Sequence, residues 1–381
     1  MRILILGGDG YLGWPTAMHL SAMGHEVAVA DNYLRRNLMR EENLETLYPV
    51  INLPERVRAW KATSGKDIHC YVGDLREWVF MARLFQEFQP DAIVHYAEQP
   101  SAPYSMLRRE SATLTLHNNL GVTANLIFAV KEFCPNAHIV KLGTMGEYGT
   151  PNIDIEEGWL NVEHNGRSQK FLYPRQAGSL YHTTKVMDTD LLWYYVRVWG
   201  IRVTDLMQGP VYGIYTTESS MADELLTYFC YDELFGTVLN RFVVQAVAGI
   251  PLTVYGKGGQ TRGYINLKDT LNCVRLCLER PAEQGELRVF NQFTETFSVL
   301  DLASKVKLAA TEIGLNVSIA NVENPRKELE EHYYNPKHTG LKELGLEPNL
   351  LEQDTLIEWL KLVAKYKSNI RPSSIFWGVK W

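Results

Sequence analysis

The chain has 381 residues, 46% of them hydrophobic and 22% charged, enough apolar mass for a substantial core, which excludes disordered, collagenous and small disulfide-rich classes. A net charge of -6 with no long basic run lacks the electrostatic footprint of a nucleic-acid binder, so any anionic ligand must be held by local arginines. The five cysteines, Cys70, Cys134, Cys230, Cys273 and Cys277, are scattered without a C-x-x-C pair, no stretch approaches ~18 uncharged apolar residues, and the N-terminus runs straight into a strand pattern. A cytoplasmic protein with reduced thiols and no metal site is expected.

In chain order, the apolar run Arg2 to Leu6 ends at GGDGYLG, and Tyr11 to Met23 then carries helical spacing up to Gly24. Further apolar runs follow at 26–30, 68–72, 92–97 and 138–142, with long helical patterns at 112–133 and 179–199 and a last strand at 202–207. Strands alternating with helices predict an α/β fold: a doubly wound parallel sheet of the Rossmann type covered on both faces. After Gln208 the loops become richer in Gly and Pro and the helices shorten. We therefore expect residues 1–208 to form a dinucleotide-binding domain, with short returning segments near 263–292, and residues 209–381 to form mainly a smaller, interleaved substrate lobe.

Gly7, Gly10 and Gly13 lie between the first strand and its helix, where missing side chains let a pyrophosphate approach backbone N–H groups at the positive helix end. Asp31 closes the second strand 18 residues after Gly13, the place for a carboxylate that accepts adenosine ribose hydroxyls. Its charge would repel a 2′-phosphate, which favours NAD over NADP, although Arg35 and Arg36 follow closely. Asp74 in YVGDL is a candidate for the adenine edge or, alternatively, a helix N-cap. Tyr181 and Lys185 form Y-H-T-T-K, and the i, i+4 spacing places both on one helix face. A phenol is a poor base at neutral pH unless a cation lowers its pKa, and Lys185 is the candidate cation. Thr144, just past the strand at 138–142, completes a trio.

With these motifs in place the chain resembles the extended short-chain dehydrogenase/reductase family, whose members use a Thr or Ser, a Tyr and a Lys with tightly bound NAD on nucleotide sugars. Within it, GGDGYLGW, DNYLRR, SAPYSM, HNN, VKLGTMGEYGTPNIDIEEG, HNGR, TVYGKGGQTRGY, VFNQFTE and EEHYYN are similar, from residue 1 to about residue 350, to a branch that sulfonates a UDP-sugar. That resemblance implies UDP-glucose and sulfite as substrates: oxidation at C4, loss of water across C5 and C6, sulfite addition at C6 and return of the hydride to C4. It also implies contacts to NAD from Asp9, Tyr11, Leu12, Asn32, Tyr33, Leu75, Tyr96, Gln99, Asn119 and Val211. For the UDP-sugar it implies Gln208, Thr237, Asn240, Arg241, Tyr255, Gln260 and Tyr264, with Arg262 and Arg326 on the diphosphate, while Tyr104 and Asn118 would lie near the nicotinamide and sugar.

Related 4,6-dehydratases carry Thr-Asp-Glu where this chain has Thr144-Met145-Gly146-Glu147, so their acid/base pair is replaced. Glu147 and His182 are then the expected handlers of the C5 proton and the leaving C6 oxygen, beside Met145. Pro100 stands where the resemblance leads one to expect an arginine near the nicotinamide, and His182, Gln99 and Ser101 are the candidates left to bind sulfite. The runner-up function is an NAD-dependent UDP-sugar 4-epimerase or 4,6-dehydratase; a remote one is an NAD-sensing protein without catalysis. Apolar positions on more than one face of the helices at 112–133 and 179–199, among them Leu191, Leu192, Trp193 and Tyr195, suit a homodimer contact.

Overall fold

The structure is a computed structural model that describes residues 1–324 and 333–375. Its central sheet has seven parallel strands, in the order Leu287–Gln292, Arg202–Gln208, His138–Thr144, Ala92–His95, Arg2–Leu6, Glu26–Asp31, Ile68–Val72. The strand Arg2–Leu6, RILIL, has no alternation because helices cover both its faces and four of its five residues are fully buried. Helices Arg109–Phe133 and Leu180–Trp199 lie together against the sheet. Chain order reverses beside Arg2–Leu6, so a crevice opens at the carboxyl ends of the strands, the usual place for a ligand in an open α/β sheet.

The strand Leu287–Gln292 joins the sheet from far down the chain, pairing with Arg202–Gln208 along its whole length. The chain builds the second lobe partly between these two strands and partly after the second of them. The helices Val238–Ala248, Val299–Glu312 and Gln353–Lys365 pack together, and the strand Thr261–Asn266 is paired by Glu295–Ser298 and Val211–Tyr212. From 225 to 235 the chain has little regular structure yet is buried almost throughout. It is a strap laid over the crevice.

An antiparallel hairpin, Trp159–His164 with Arg167–Leu172, stands out from the body and was not anticipated. Its signal was present: Asn165-Gly166 supplies two consecutive positive φ angles, 50° and 72°, as a two-residue hairpin turn demands. Among the described residues no helix is long and apolar enough to cross a membrane.

Candidate active site

The crevice holds a cavity of about 960 Å³ running from the glycine loop to the second lobe. At one end lie Gly7, Asp9, Gly10, Tyr11, Leu12 and Gly13; at the other Thr237, Arg241, Tyr255, Gln260, Arg262 and Tyr264; between them Thr144, Met145, Tyr181 and His182.

The glycine end is built for a phosphate. Gly7 has φ 88°, and a side chain there would lie 2.8 Å from the backbone of Tyr96, while one on Gly13 would lie 2.0 Å from the Gly7 carbonyl. The helix Gly13–Ala22 begins without a side-chain cap and without an acid in its first turn, which leaves the positive end of its dipole to an anion. Asp31 lines the same end, its Oδ2 accepting from the Asp9 amide (2.9 Å) and its Oδ1 from the Tyr33 amide (2.7 Å). Burial, and then the Asp9 charge, push its carboxyl up to about 6. Asn32, Tyr33, Leu75, Tyr96, Gln208 and Val211 also line the cavity. These residues fit NAD: a cradle closed to side chains, an uncapped helix end and a carboxylate for ribose hydroxyls.

Several expected contacts lie elsewhere. Both oxygens of Asp9 bind Arg36 at 2.6 Å, and that guanidinium also donates to the carbonyls of Val50 and Ile51. Arg36 therefore locks the glycine loop from behind instead of waiting for a cofactor. Asp74 chelates Arg76 through its side chain and backbone and does not line the cavity. Asn119 and Gln99 are consumed within the wall: Asn119 binds the Gln99 backbone and Thr184, and Gln99 binds Ser101 and Thr115. Gln99 is thus withdrawn as a sulfite ligand, whereas Ser101 and Asn118 do line the cavity. Tyr104 packs against Phe235 with ring centroids 5.9 Å apart, beneath the strap. Asn240 joins Tyr11 to the Gly213 amide. Arg326 lies outside the described residues.

Thr144, Met145, Tyr181 and His182 converge because a turn follows the strand His138–Thr144 directly. Thr144 caps that turn, accepting from the Gly146 amide at 3.2 Å, and Glu147 reaches back to the Thr144 amide at 3.2 Å, a capping box. This geometry corrects the expected role of Glu147. Its carboxylate is fully buried and faces Lys141 at 3.4 Å and Arg175 at 3.6 Å, so it fixes Thr144 from outside the cavity. Gly146 does something different: a side chain there would lie 2.3 Å from Nε2 of His182. The imidazole, positioned by Ser179 Oγ at 3.0 Å from Nδ1, fills the space that Gly146 leaves.

Lys185 does not line the cavity. Its ammonium is bound at 2.5 Å by Glu98, a residue the sequence reading passed over. Burial first, and the Glu98 charge second, raise Tyr181 well above the ordinary phenol range, opposite to the lowering expected from Lys185 alone. In the second lobe Thr237 Oγ1, Arg241 Nε and Gln260 Oε1 are buried in the cavity wall with no hydrogen-bond partner among the described residues. Buried polar atoms are rarely left so, and this wall is suited to a polar, anionic ligand.

A Rossmann-type crevice with a glycine cradle, Thr144, and a Tyr–Lys pair on one helix defines the class, and sequence comparison agrees: the chain belongs to the NAD dependent epimerase/dehydratase family, whose profile matches residues 3–291. The chain is 51% identical over 380 residues to the chloroplastic UDP-sulfoquinovose synthase of Spinacia oleracea, covering all of this chain and 79% of that one. It is 48% identical over 371 residues to the UDP-sulfoquinovose synthase of Sulfolobus acidocaldarius, covering 97% and 94%. The solved UDP-glucose 4-epimerase of Bifidobacterium longum, in complex with NAD+ and UDP, superposes with a TM-score of 0.73 at 20% identity, over 97% of this chain and all of that one; it shares the fold.

Proposed function

We propose that this chain makes UDP-sulfoquinovose from UDP-glucose and sulfite. The observation that carries the reading is the turn Thr144-Met145-Gly146-Glu147. It keeps the oxidation machinery of an epimerase or dehydratase, removes the dehydratase acid/base pair, and gives the vacated space to His182. NAD, which the glycine end would hold, would supply a reversible oxidant for C4, so no external reductant would be consumed. Arg262 and Arg241 hold the diphosphate, with Thr237, Gln260, Tyr255 and Tyr264 around the nucleotide and sugar.

Tyr181 takes the C4 hydroxyl proton, and Thr144 donates to the oxygen as the C4 ketone forms. The ketone acidifies the C5 proton. His182 removes that proton and passes it to the C6 oxygen, which leaves as water, so one imidazole serves as base and then acid. The sulfur lone pair of sulfite adds to C6 of the conjugated enone, and C5 regains a proton. When the hydride returns to C4, Tyr181 hands its proton back to the C4 oxygen. Atoms balance as UDP-glucose plus hydrogen sulfite giving UDP-sulfoquinovose plus water.

The epimerase reading is disfavoured because an epimerase needs no acid or base for C5 and C6, the task we give to His182 in the space left by Gly146. Gly146→Ala tests this. Its methyl group displaces the imidazole, so oxidation of C4 by bound NAD should persist while solvent deuterium uptake at C5 falls at least about tenfold, the low end of what a general base contributes. Full deuterium uptake in Gly146→Ala would remove His182 from the mechanism.

The protein also offers one surface for self-association. Phe128 on one long helix and Met187, Tyr194 and Val198 on the other are 42–53% exposed beside the ring cluster Phe128, Tyr195 and Trp199. A second copy covers this face in the homodimer we propose.

A further inference from the structure

Glu98 follows the strand Ala92–His95 and lines the cavity, yet its side chain is only 4% exposed. Oε1 lies 2.5 Å from Lys185 Nζ and 3.5 Å from His95 Nε2, and Oε2 has no hydrogen-bond partner among the described residues. A buried carboxylate with an unused oxygen is costly to keep. Nothing in the chemistry above gives it a task.

The charged and titratable groups around Tyr181 come from every neighbouring element. Glu98 and His95 belong to one strand and its loop, Lys141 to the next strand, and Glu147 to the turn after it. His182, Lys185 and Asp188 share the helix of Tyr181. Burial and then Glu98 raise the Asp188 carboxyl, and Lys141 is engaged by Asp205, Thr189 and Glu147. The charge that weighs most on the phenol is Glu98, opposed by Lys141, and the same carboxylate holds the Lys185 ammonium. Burial alone would lower the Lys185 ammonium, but Glu98 and Asp188 outweigh it and raise it.

We infer that Glu98 is a positioning residue: it holds the Lys185 ammonium beneath the cavity and restrains how readily Tyr181 gives up its proton. The inference rests on the reading of Tyr181 as the group that exchanges a proton with the C4 oxygen. Its logic is that the same phenol must act twice in one cycle, first as base and then as acid. An uncompensated ammonium beside it would favour the phenolate so strongly that the proton would return poorly. Pairing the ammonium with Glu98 keeps the phenol between the two extremes, where general acid and base catalysis are both efficient.

The test uses the NAD-loaded protein mixed with UDP-glucose without sulfite, following reduction of the bound nicotinamide by absorbance across a pH series. In Glu98→Gln the midpoint of the rate profile should fall by about one pH unit or more, with the rate below the wild-type midpoint rising about tenfold. In Glu98→Asp, whose charge is kept but withdrawn by one methylene, the midpoint should fall part of the way. Lysine side-chain NMR gives a readout independent of turnover: Lys185 should titrate at lower pH in both variants. Unmoved midpoints, or a rate loss equal at every pH, would overturn the inference and leave Glu98 a structural carboxylate. Should Glu98→Gln fail to fold, Glu98→Asp decides by the same criteria. A wild-type protein that never oxidises UDP-glucose would instead overturn the reading of Tyr181.

Discussion

Two acidic residues sit side by side at the glycine loop, and the arginines treat them differently. Asp9 is neutralised by Arg36 at 2.6 Å and by Arg56 at 3.4 Å, whereas Asp31 is held by amides alone and is pushed up to about 6. A ribose hydroxyl needs the charged form of Asp31 as acceptor. In the ligand-free protein the carboxyl is ionised above about pH 6 and protonates below it, so NAD binding should weaken as pH falls through 6. The decline approaches tenfold per pH unit well below it. Calorimetric titration of the NAD-free protein across that window checks the sign. Asp31→Asn should bind weakly with a flat profile, and a flat profile in the wild type would show that Asp31 does not meet the ribose. Most of the site was legible at this scale because glycine spacing, Y-x-x-x-K and Asp31 each encode a local geometry. Glu147 was misread for a related reason: three residues after Thr144, it is as well placed for a capping box as for catalysis, and only burial against Lys141 and Arg175 separates the two. Glu98 was missed because its partners, Lys185 and His95, meet it only in the folded chain.

Among the elements, the helix pattern and the parallel strands follow directly from apolar periodicity, but the strap from 225 to 235 has no period to read. It is held by single side chains. Arg35 donates to the Phe235 carbonyl at 3.1 Å and lies 5.7 and 5.4 Å from the ring centroids of Tyr228 and Phe235. Ser101 donates to the Leu234 carbonyl at 2.5 Å, and Arg56 to that of Leu226 at 2.8 Å. Arg35, which also lines the cavity, therefore joins the cofactor end to its cover instead of selecting a 2′-phosphate. Arg35→Ala removes a buried charged hydrogen bond and two cation–π contacts, together about 2–3 kcal/mol. Bound NAD should then be lost at least about tenfold faster, measured as the NAD retained after gel filtration. Unchanged retention would mean that the strap closes without this clasp.

At the scale of the whole molecule, one sheet is completed by a strand that interrupts the second lobe in the chain, so the two ends of the cavity are tied through the same sheet. This return was readable in the short apolar run near 289–291, but its register was not, because pairing partners lie more than eighty residues apart. The long helices turn one side to the sheet and leave Phe128, Met187, Tyr194 and Val198 outward, a patch larger than isolated surface apolar residues require. Val198→Asp places a charge in the centre of the proposed dimer contact. It should yield a monomer by light scattering with the fold retained in circular dichroism. A wild-type protein that is already monomeric at micromolar concentration would contradict that contact.

The central claim is that one cavity carries UDP-glucose through oxidation, dehydration, sulfite addition and reduction. Mass spectrometry of UDP-glucose incubated with the purified protein, with and without sulfite and with no added NAD, tests it most directly. The account predicts a UDP-sugar in which a sulfonate replaces a hydroxyl, formed only with sulfite. A UDP-hexose isomer or a dehydrated 4-keto sugar as the end product in the presence of sulfite would contradict it and leave an epimerase or a dehydratase.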